Sequence, residues 1–216
     1  MQIAIDGPAG AGKSTIAKMI AKDLDIIYLD TGAMYRAITY GVMEAEIPFS
    51  DEAAIIDFTQ KSTIDFDGSA VRLNGGVVTE EIRRPLVSQH TSDIACIQAV
   101  RDLLVEEQRQ IAANHSVIMD GRDIASVVLP QAQYKFYLDA SITERAMRRM
   151  KELAAKGIDK SLDEVKADIA ARDYNDTHRD AGPLVCTEDA VIIDTTGKSI
   201  SEVCGAIMAH IKGVPL

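Results

Sequence analysis

The chain has 216 residues, 47% of them hydrophobic, and a formal net charge of −10. Its length predicts a single domain, 1–216, with a core of its own. The acidic balance excludes a protein that coats nucleic acid or an anionic membrane, because either function needs a broad excess of Lys and Arg. Any anionic ligand must therefore meet a local basic site.

Cysteine content and hydropathy indicate the cellular compartment of the protein. Cys96, Cys186 and Cys204 form no C-x-x-C pair, which predicts neither a disulfide framework nor a zinc site. We interpret them as core thiols in a reducing environment. No apolar run approaches the roughly 18 residues of a membrane span, and the first basic residue is Lys13, so the charged region of a secretory signal is missing. We expect a cytoplasmic protein and a monomer.

Short apolar runs alternate with longer stretches of helical period, a pattern typical of an α/β fold with a parallel sheet. The predicted strands are 3–6, 26–29, 117–120, 134–138 and 191–193. The predicted helices are 13–24, 32–44, 97–113, 141–156, 162–175 and 199–212. Within the third helix, Val100 and Leu104 belong to an apolar stripe that faces the sheet, and Arg101 lies on the polar face.

One segment interrupts the alternation. Asp67-Gly68 and Gly75-Gly76 separate short extended runs, and such dipeptides favour tight turns because they tolerate positive φ. We therefore predict a small antiparallel β insertion over 61–85. The extended runs are 62–66, 71–74 and 77–79.

The segment GPAGAGKS at 7–14 matches G-x-x-x-x-G-K-[ST] between a predicted strand and a predicted helix. Glycines let backbone N–H groups surround a phosphate, the helix N-terminus adds positive charge, and Lys13 reaches the β- and γ-phosphates. Ser14, or Thr15 beside it, supplies the hydroxyl expected near Mg²⁺, directly or through water. The predicted nucleotide-binding residues are Gly7, Pro8, Ala9, Gly10, Ala11, Gly12, Lys13, Ser14 and Thr15.

GTPases, motor ATPases and small-molecule kinases all share this motif, so other residues must decide the function. Residues 194–197 spell D-x-x-G, but they follow the last predicted strand, and no N-K-x-D guanine-reading motif occurs. We interpret 194–197 as a strand-to-helix turn, which argues against a switch GTPase.

A kinase needs a second basic site for an anionic acceptor. Thr31 and Arg36 follow the second strand, where they can hold an anion at a helix start, although Thr31 can instead be only an N-cap. Arg122 and Asp123 follow the third strand, at the edge where open α/β sheets bind ligands. They can read the donor and acceptors of cytosine, or they form a surface ion pair.

A last basic cluster lies on one helix. Arg172, Asp176 and Arg179 are spaced four and three residues apart, which places them on the same face. This face is either solvated or part of a phosphate-clamping lid over 148–180. A lid that closes over both substrates prevents water from taking the phosphoryl group.

In these motifs the chain resembles the bacterial cytidylate kinases, within the nucleoside monophosphate kinases. The resemblance spans nearly the whole chain. It is carried by IDGP at 5–8 with the loop that follows, LDTGAMYR at 29–36, DGRD at 120–123, FYLDA at 136–140, ERA at 144–146 with Arg148 and Arg149, and Arg172, Asp173, Asp176 and Arg179.

The resemblance implies a P-loop fold with a five-stranded parallel sheet flanked by helices, a small antiparallel β insertion and a helical lid. It implies ATP as donor, Mg²⁺ as cofactor and CMP or dCMP as acceptor, with no nucleic-acid polymer or membrane as partner. The implied CMP-binding residues are Thr31, Arg36, Arg101, Arg122, Asp123, Arg172, Asp176 and Arg179. The implied catalytic residues are Lys13, Arg122, Asp123, Arg172 and Arg179.

Two alternatives stay open. One is a P-loop kinase with another small acceptor, such as UMP, AMP or shikimate. The other is a regulatory protein that binds a nucleotide without transferring its phosphoryl group.

Overall fold

The computed structural model describes residues 1–67, 70–155 and 157–213. Within them the chain forms two compact units, residues 1–29 with 114 onwards and Asp30–Ala113. The single domain over 1–216 stays a prediction. The strands are β1 Gln2–Asp6, β2 Ile27–Asp30, β3 Ile64–Asp67, β4 Ala70–Leu73, β5 Gly76–Val77, β6 Val117–Gly121, β7 Tyr134–Asp139 and β8 Val191–Asp194. The α-helices are α1 Lys13–Leu24, α2 Thr31–Glu44, α3 Glu52–Lys61, α4 Pro85–Ala95, α5 Gln98–Asn114, α6 Ile142–Ala154, α7 Leu162–His178 and α8 Ile200–Ile211.

The first unit is built on a five-stranded parallel sheet with the order β2-β6-β1-β7-β8, which confirms the predicted fold class. The central strand is apolar through Ile3, Ala4 and Ile5, all fully buried, as expected for a strand covered on both faces. The core continues into α1 through Ile16 and Ile20, and into α8. Because parallel strands end at one edge, their last residues line the same side of this sheet.

The second unit contains the smaller sheet, in which β3, β4 and β5 are antiparallel, as predicted. Leu73 pairs with Gly76, so the turn residues are Asn74 and Gly75, both at positive φ, rather than Gly75-Gly76. Gly68, the other predicted turn glycine, lies outside the described residues. A separate subdomain with bounds 61–85 stays a prediction.

Two helices of the second unit were missed. Helix α3 begins after Asp51, whose side chain accepts a hydrogen bond from the Ala54 amide, and α4 has Pro85 at its first position. Both are ordinary helix starts.

The structure also corrects details of the other helices. Asp30, not Thr31, is the N-cap of α2, because its Oδ1 accepts a 2.8 Å hydrogen bond from the Ala33 amide. Helix α7 continues to His178, three residues beyond its predicted end. Residue 156, the predicted end of α6, lies outside the described residues. Ser199 caps α8 after the 194–197 turn, as interpreted from the sequence.

Three burial predictions were wrong. Arg101, which periodicity placed on the polar face of α5, is only 2% exposed. Cys96 and Cys186 are exposed, so only Cys204 is a core thiol.

Among the described residues, no helix is both long enough and apolar enough to cross a membrane.

Candidate active site

The glycine-rich loop connects β1 to α1 at the carboxyl edge of the sheet. Gly7 has φ +144°, and a Cβ at this position would lie 2.0 Å from the carbonyl oxygen of Leu138 in β7. Only glycine therefore allows the loop to pass this close to the neighbouring strand. Gly12, at φ +90°, caps α1, so the loop leads directly into the helix N-terminus.

The carbonyl groups of the loop are held by surrounding side chains. Lys13 Nζ donates to the Pro8 carbonyl at 2.7 Å. Arg145 Nη1 donates to the Ala9 carbonyl at 3.1 Å, and Thr195 Oγ1 donates to the Ala11 carbonyl at 3.3 Å. The C=O and N–H of a trans peptide point in opposite directions. The N–H groups of Ala9, Gly10 and Gly12 therefore point away from the side chains that bind the preceding carbonyl groups. Successive backbone amides in a glycine-rich turn of this kind bind phosphate groups.

Lys13 is the cation of this loop. Its side chain is buried, and burial together with the nearby charge of Arg122 lowers its pKa to about 7, although Asp120 and Asp176 oppose this. A buried ammonium group with a lowered pKa is stabilised by added negative charge. A polyphosphate provides such charge.

Ser14 and Asp120 form the oxygen-rich part of the site. Ser14 Oγ donates to Asp120 Oδ2 at 2.8 Å, and the Tyr28 hydroxyl donates to Asp120 Oδ1 at 2.7 Å. Asp120 lies in β6, beside the strand that leads into the loop. Thr15, the alternative hydroxyl, is exposed. The role of Asp120 was missed, although an acidic residue at the end of a strand is a known signal in P-loop proteins.

These oxygen donors fit Mg²⁺. A hydroxyl and a carboxylate are hard ligands, and Mg²⁺ is commonly held by one or two carboxylates together with substrate phosphates. The described residues contain no group of three or more His, Cys, Asp or Glu side chains placed to hold a metal ion. With the Ser14 hydroxyl and the Asp120 carboxylate as its protein ligands, a magnesium ion here would take further ligands from phosphate oxygens.

Asp6 and Asp123 are two buried carboxylates behind the loop. Asp6 ends β1, and its oxygens accept hydrogen bonds from the amides of Ile124 at 2.9 Å and Ala125 at 2.7 Å. Burial raises the pKa of Asp6 to about 6; its amide hydrogen bonds oppose the shift, and the charge of Asp123 adds to it. Asp123 is 5% exposed, which contradicts its reading as part of a surface ion pair.

The predicted arginine cluster of α7 is not a solvated face. Arg122 Nε donates to Asp176 Oδ2 at 2.6 Å, and both side chains are largely buried. Burial raises the pKa of Asp176, but the charges of Arg122, Arg172 and Arg179 outweigh it and hold the pKa below its usual value. The structure therefore brings three predicted arginines together around the carboxylate of Asp176, itself a predicted site residue.

Helix α6 adds two arginines to which periodicity gave no role. Arg145 is buried, and its Nη1 lies 2.7 Å from Asp173 Oδ2 of α7 while its Nε donates to the Ala140 carbonyl at 3.0 Å. Arg148 Nη2 donates to the Thr195 carbonyl at 2.8 Å. Arg145 thus connects the glycine-rich loop to α7. The ERA motif with Arg148 and Arg149 was the available signal.

The remaining predicted CMP-binding residues belong to the second unit. Thr31 is buried at the start of α2, and Arg36 Nη2 lies 2.9 Å from Asp30 Oδ2. The Arg101 guanidinium lies 5.5 Å from the ring centre of Tyr35, and its Nη1 donates to the Ala95 carbonyl at 3.3 Å. Their participation in CMP binding stays a prediction.

Comparison with known proteins tests the resemblance to the cytidylate kinases. The model of the cytidylate kinase family matches residues 3–213. The cytidylate kinase of Alkaliphilus oremlandii is 51% identical over 214 residues, 99% of each chain, and that of Clostridioides difficile is 51% identical over 210 residues, 97% of each chain. A solved structure of an uncharacterized Eubacterium ventriosum protein, 12% identical, matches 99% of this chain and 98% of its own with a TM-score of 0.58, which indicates a shared fold alone.

These matches confirm the resemblance that the sequence motifs suggested. A buried lysine and a hydroxyl–carboxylate pair lie at the glycine-rich loop, as phosphoryl transfer requires. The chain belongs to the cytidylate kinase family.

Proposed function

We propose that the chain transfers the γ-phosphoryl group of ATP to CMP, and also to dCMP, to give ADP and CDP or dCDP. The transfer is direct and in line, without a covalent enzyme intermediate. The observation that carries this proposal is the buried Lys13 at a phosphate loop, beside the hydrogen-bonded Ser14–Asp120 pair. The protein works on free nucleotides as a cytoplasmic monomer.

The donor binds at the loop. The amides that follow Pro8, Ala9 and Ala11 hold the phosphate oxygens, and Lys13 neutralises charge on the β- and γ-phosphates. Ser14 and Asp120 hold Mg²⁺, which neutralises phosphate charge when it is bound. Asp120 also fixes the orientation of the Ser14 hydroxyl.

The acceptor is held by arginines. Arg172 and Arg179 neutralise the CMP phosphate and the transferring group. Asp176 holds the Arg122 side chain in place. Thr31, Arg36 and Arg101 complete CMP binding in this proposal. No strong general base is needed, because the attacking oxygen belongs to a phosphate that is already ionised near neutral pH.

Arg122 and Asp123 select the base. Cytosine offers an amino donor and two acceptors, which the pair complements, whereas uracil places a carbonyl oxygen against the Asp123 carboxylate. A desolvated mismatch of this kind costs about 1–3 kcal/mol per group. Residues 148–180 act as a lid that carries Arg172 and Arg179 and excludes water from the reaction.

A coupled ADP-release assay with CMP, dCMP, UMP, AMP and shikimate tests the function. We expect turnover with CMP and dCMP well above that with the other acceptors, and Lys13→Ala should abolish transfer to every acceptor. Preference for UMP, AMP or shikimate would favour the other P-loop kinases. ATP binding without turnover on any acceptor would favour a regulatory binding protein.

Asp123→Ala tests the base-reading assignment separately. We expect the KM for CMP to rise about tenfold or more, with the KM for ATP changed by less than about twofold, because the loss affects acceptor binding alone. Unchanged CMP kinetics would refute the role of Asp123.

A further inference from the structure

Asp6 is a buried carboxylate to which phosphoryl transfer assigns no role. It ends β1 and directly precedes Gly7, and it is 1% exposed. Both of its oxygens accept backbone hydrogen bonds from the segment after Asp123, at 2.9 Å from Ile124 and 2.7 Å from Ala125. These residues are 118 and 119 positions away in the sequence. A buried charge that accepts two such bonds therefore organises a distant part of the chain.

The segment that Asp6 holds is a single π-helical turn, Ile124–Val128. Among the hydrogen bonds of the described residues, this turn is capped by Asp6 from β1 and not by the side chain of Asp123, its own N-cap residue. The Asp123 carbonyl accepts hydrogen bonds from Val127 and Val128, which fixes the backbone of Asp123 to the same turn. Asp6 thus determines where the backbone of Asp123 lies.

We propose that Asp6 is a positioning residue for acceptor selection, which fixes the Arg122–Asp123 pair against the strand that leads into the glycine-rich loop. The inference rests on the proposed role of Arg122 and Asp123 in binding CMP. Asp6 itself touches neither substrate in this proposal. It acts through the amides of Ile124 and Ala125, next to Asp123. Arg122, the other member of the Arg122–Asp123 pair, is held by its ion pair with Asp176.

Asp6→Asn is the direct test. The amide side chain keeps one acceptor oxygen but places an NH₂ group against the second backbone N–H, which leaves a buried donor without a partner. We expect kcat/KM for CMP relative to that for UMP to fall about tenfold, which corresponds to about 1.4 kcal/mol. The fall in selectivity should exceed any change in the KM for ATP, because both hydrogen bonds of the Asp6 side chain go to the turn, whereas its charge reaches Lys13 only through space.

Cys204→Ala is the matched control for general destabilisation. Cys204 is buried in α8 and takes no part in the proposed site, so its truncation lowers Tm without disturbing the turn. An equal loss of CMP over UMP selectivity in this variant, or unchanged selectivity in Asp6→Asn, would overturn the inference. Asp6→Glu, which keeps both acceptor oxygens, should retain more selectivity than Asp6→Asn.

A measurement on the wild-type protein covers the case in which the Asp6 variants do not fold. Amide hydrogen exchange at Ile124 and Ala125 should be slow, as for amides bonded to a buried carboxylate. Exchange as fast as in exposed loops would overturn the inference. Asp123→Ala separates the role of the Arg122–Asp123 pair from that of Asp6. Unchanged CMP kinetics in Asp123→Ala would refute the role of the pair. Weakened CMP use in Asp123→Ala with unchanged selectivity in Asp6→Asn would refute only the role of Asp6.

Discussion

The Ser14 hydroxyl donates a 2.8 Å hydrogen bond to Oδ2 of Asp120, across 106 positions of sequence. The pair places a hydroxyl and a carboxylate side by side next to the phosphate loop. Strand β6 brings Asp120 there because it pairs with β1 in parallel register, with Ile5 opposite Asp120. This relationship favours Ser14 over Thr15 as the hydroxyl near Mg²⁺.

Ser14→Ala should weaken the apparent affinity for Mg²⁺ by about tenfold or more, since it removes one of the two proposed protein oxygens. The measurement is the dependence of initial rate on free Mg²⁺ at fixed ATP and CMP. Thr15→Ala is the control and should leave this dependence unchanged, because Thr15 is exposed. Equal effects of the two substitutions would contradict the assignment.

Gly7→Ala should destabilise the fold by more than about 3 kcal/mol, because the new methyl group would lie 2.0 Å from the Leu138 carbonyl oxygen. Gly197→Ala provides a control at positive φ without a clash, since no atom lies within 4 Å of its Cβ position. Gly197→Ala should lower the free energy of unfolding by only about 1–2 kcal/mol. Urea unfolding measures the stability of both variants, and similar losses would argue against the close approach of the loop to β7.

Arg145 and Asp173 should show strong energetic coupling. A double-mutant cycle to alanine is expected to give about 1–3 kcal/mol, because the pair is largely buried and lies 2.7 Å apart. Arg149 and Glu152 form a matched pair on α6 at 3.0 Å that is much more exposed. Its coupling should stay below about 0.5 kcal/mol. Coupling of the same size in both cycles would show that burial of the first pair has no energetic effect.

Asp176→Asn should alter the acid dependence of stability. Because its pKa in the fold is lowered, Asp176 contributes stability that is fully present above its unfolded pKa of 3.8 and is lost as the pH falls through the lower folded value. The variant should be about 3 kcal/mol less stable near pH 7, since it leaves the buried Arg122 charge poorly compensated.

Unfolding free energies of the wild type and Asp176→Asn across the acid range test this prediction, and their difference should shrink as the pH falls below about 4. Asp57→Asn is the control, because Asp57 pairs with Lys61 on the surface. This substitution should lower the free energy of unfolding by less than about 0.5 kcal/mol. A difference for Asp176→Asn that stays constant down to pH 3 would contradict the lowered pKa.

Strong local patterns predicted much of the fold. Each strand of the large sheet begins and ends within one residue of its predicted bounds, because the apolar runs are short and sharply bounded. Helices α3 and α4 were missed because ten and eleven residues give little periodicity, and their start signals, Asp51 and Pro85, were not used.

The site was less accessible to sequence reasoning where it depends on tertiary pairing. Periodicity placed Arg101 on the polar face of its helix, but its guanidinium lies over the Tyr35 ring and bonds to a carbonyl group, so this polar residue is buried with partners. The contacts of Asp120 and Arg145 depend on the order of strands and on the packing of α6 beside the loop. No local pattern encodes those contacts.

The three held carbonyl groups of the glycine-rich loop have a consequence for affinity. A loop fastened by Lys13, Arg145 and Thr195 is preorganised, so a nucleotide does not need to order it on arrival and loses less binding energy to conformational entropy. Thr195, 184 positions beyond Ala11, therefore influences how tightly a phosphate is bound without touching it.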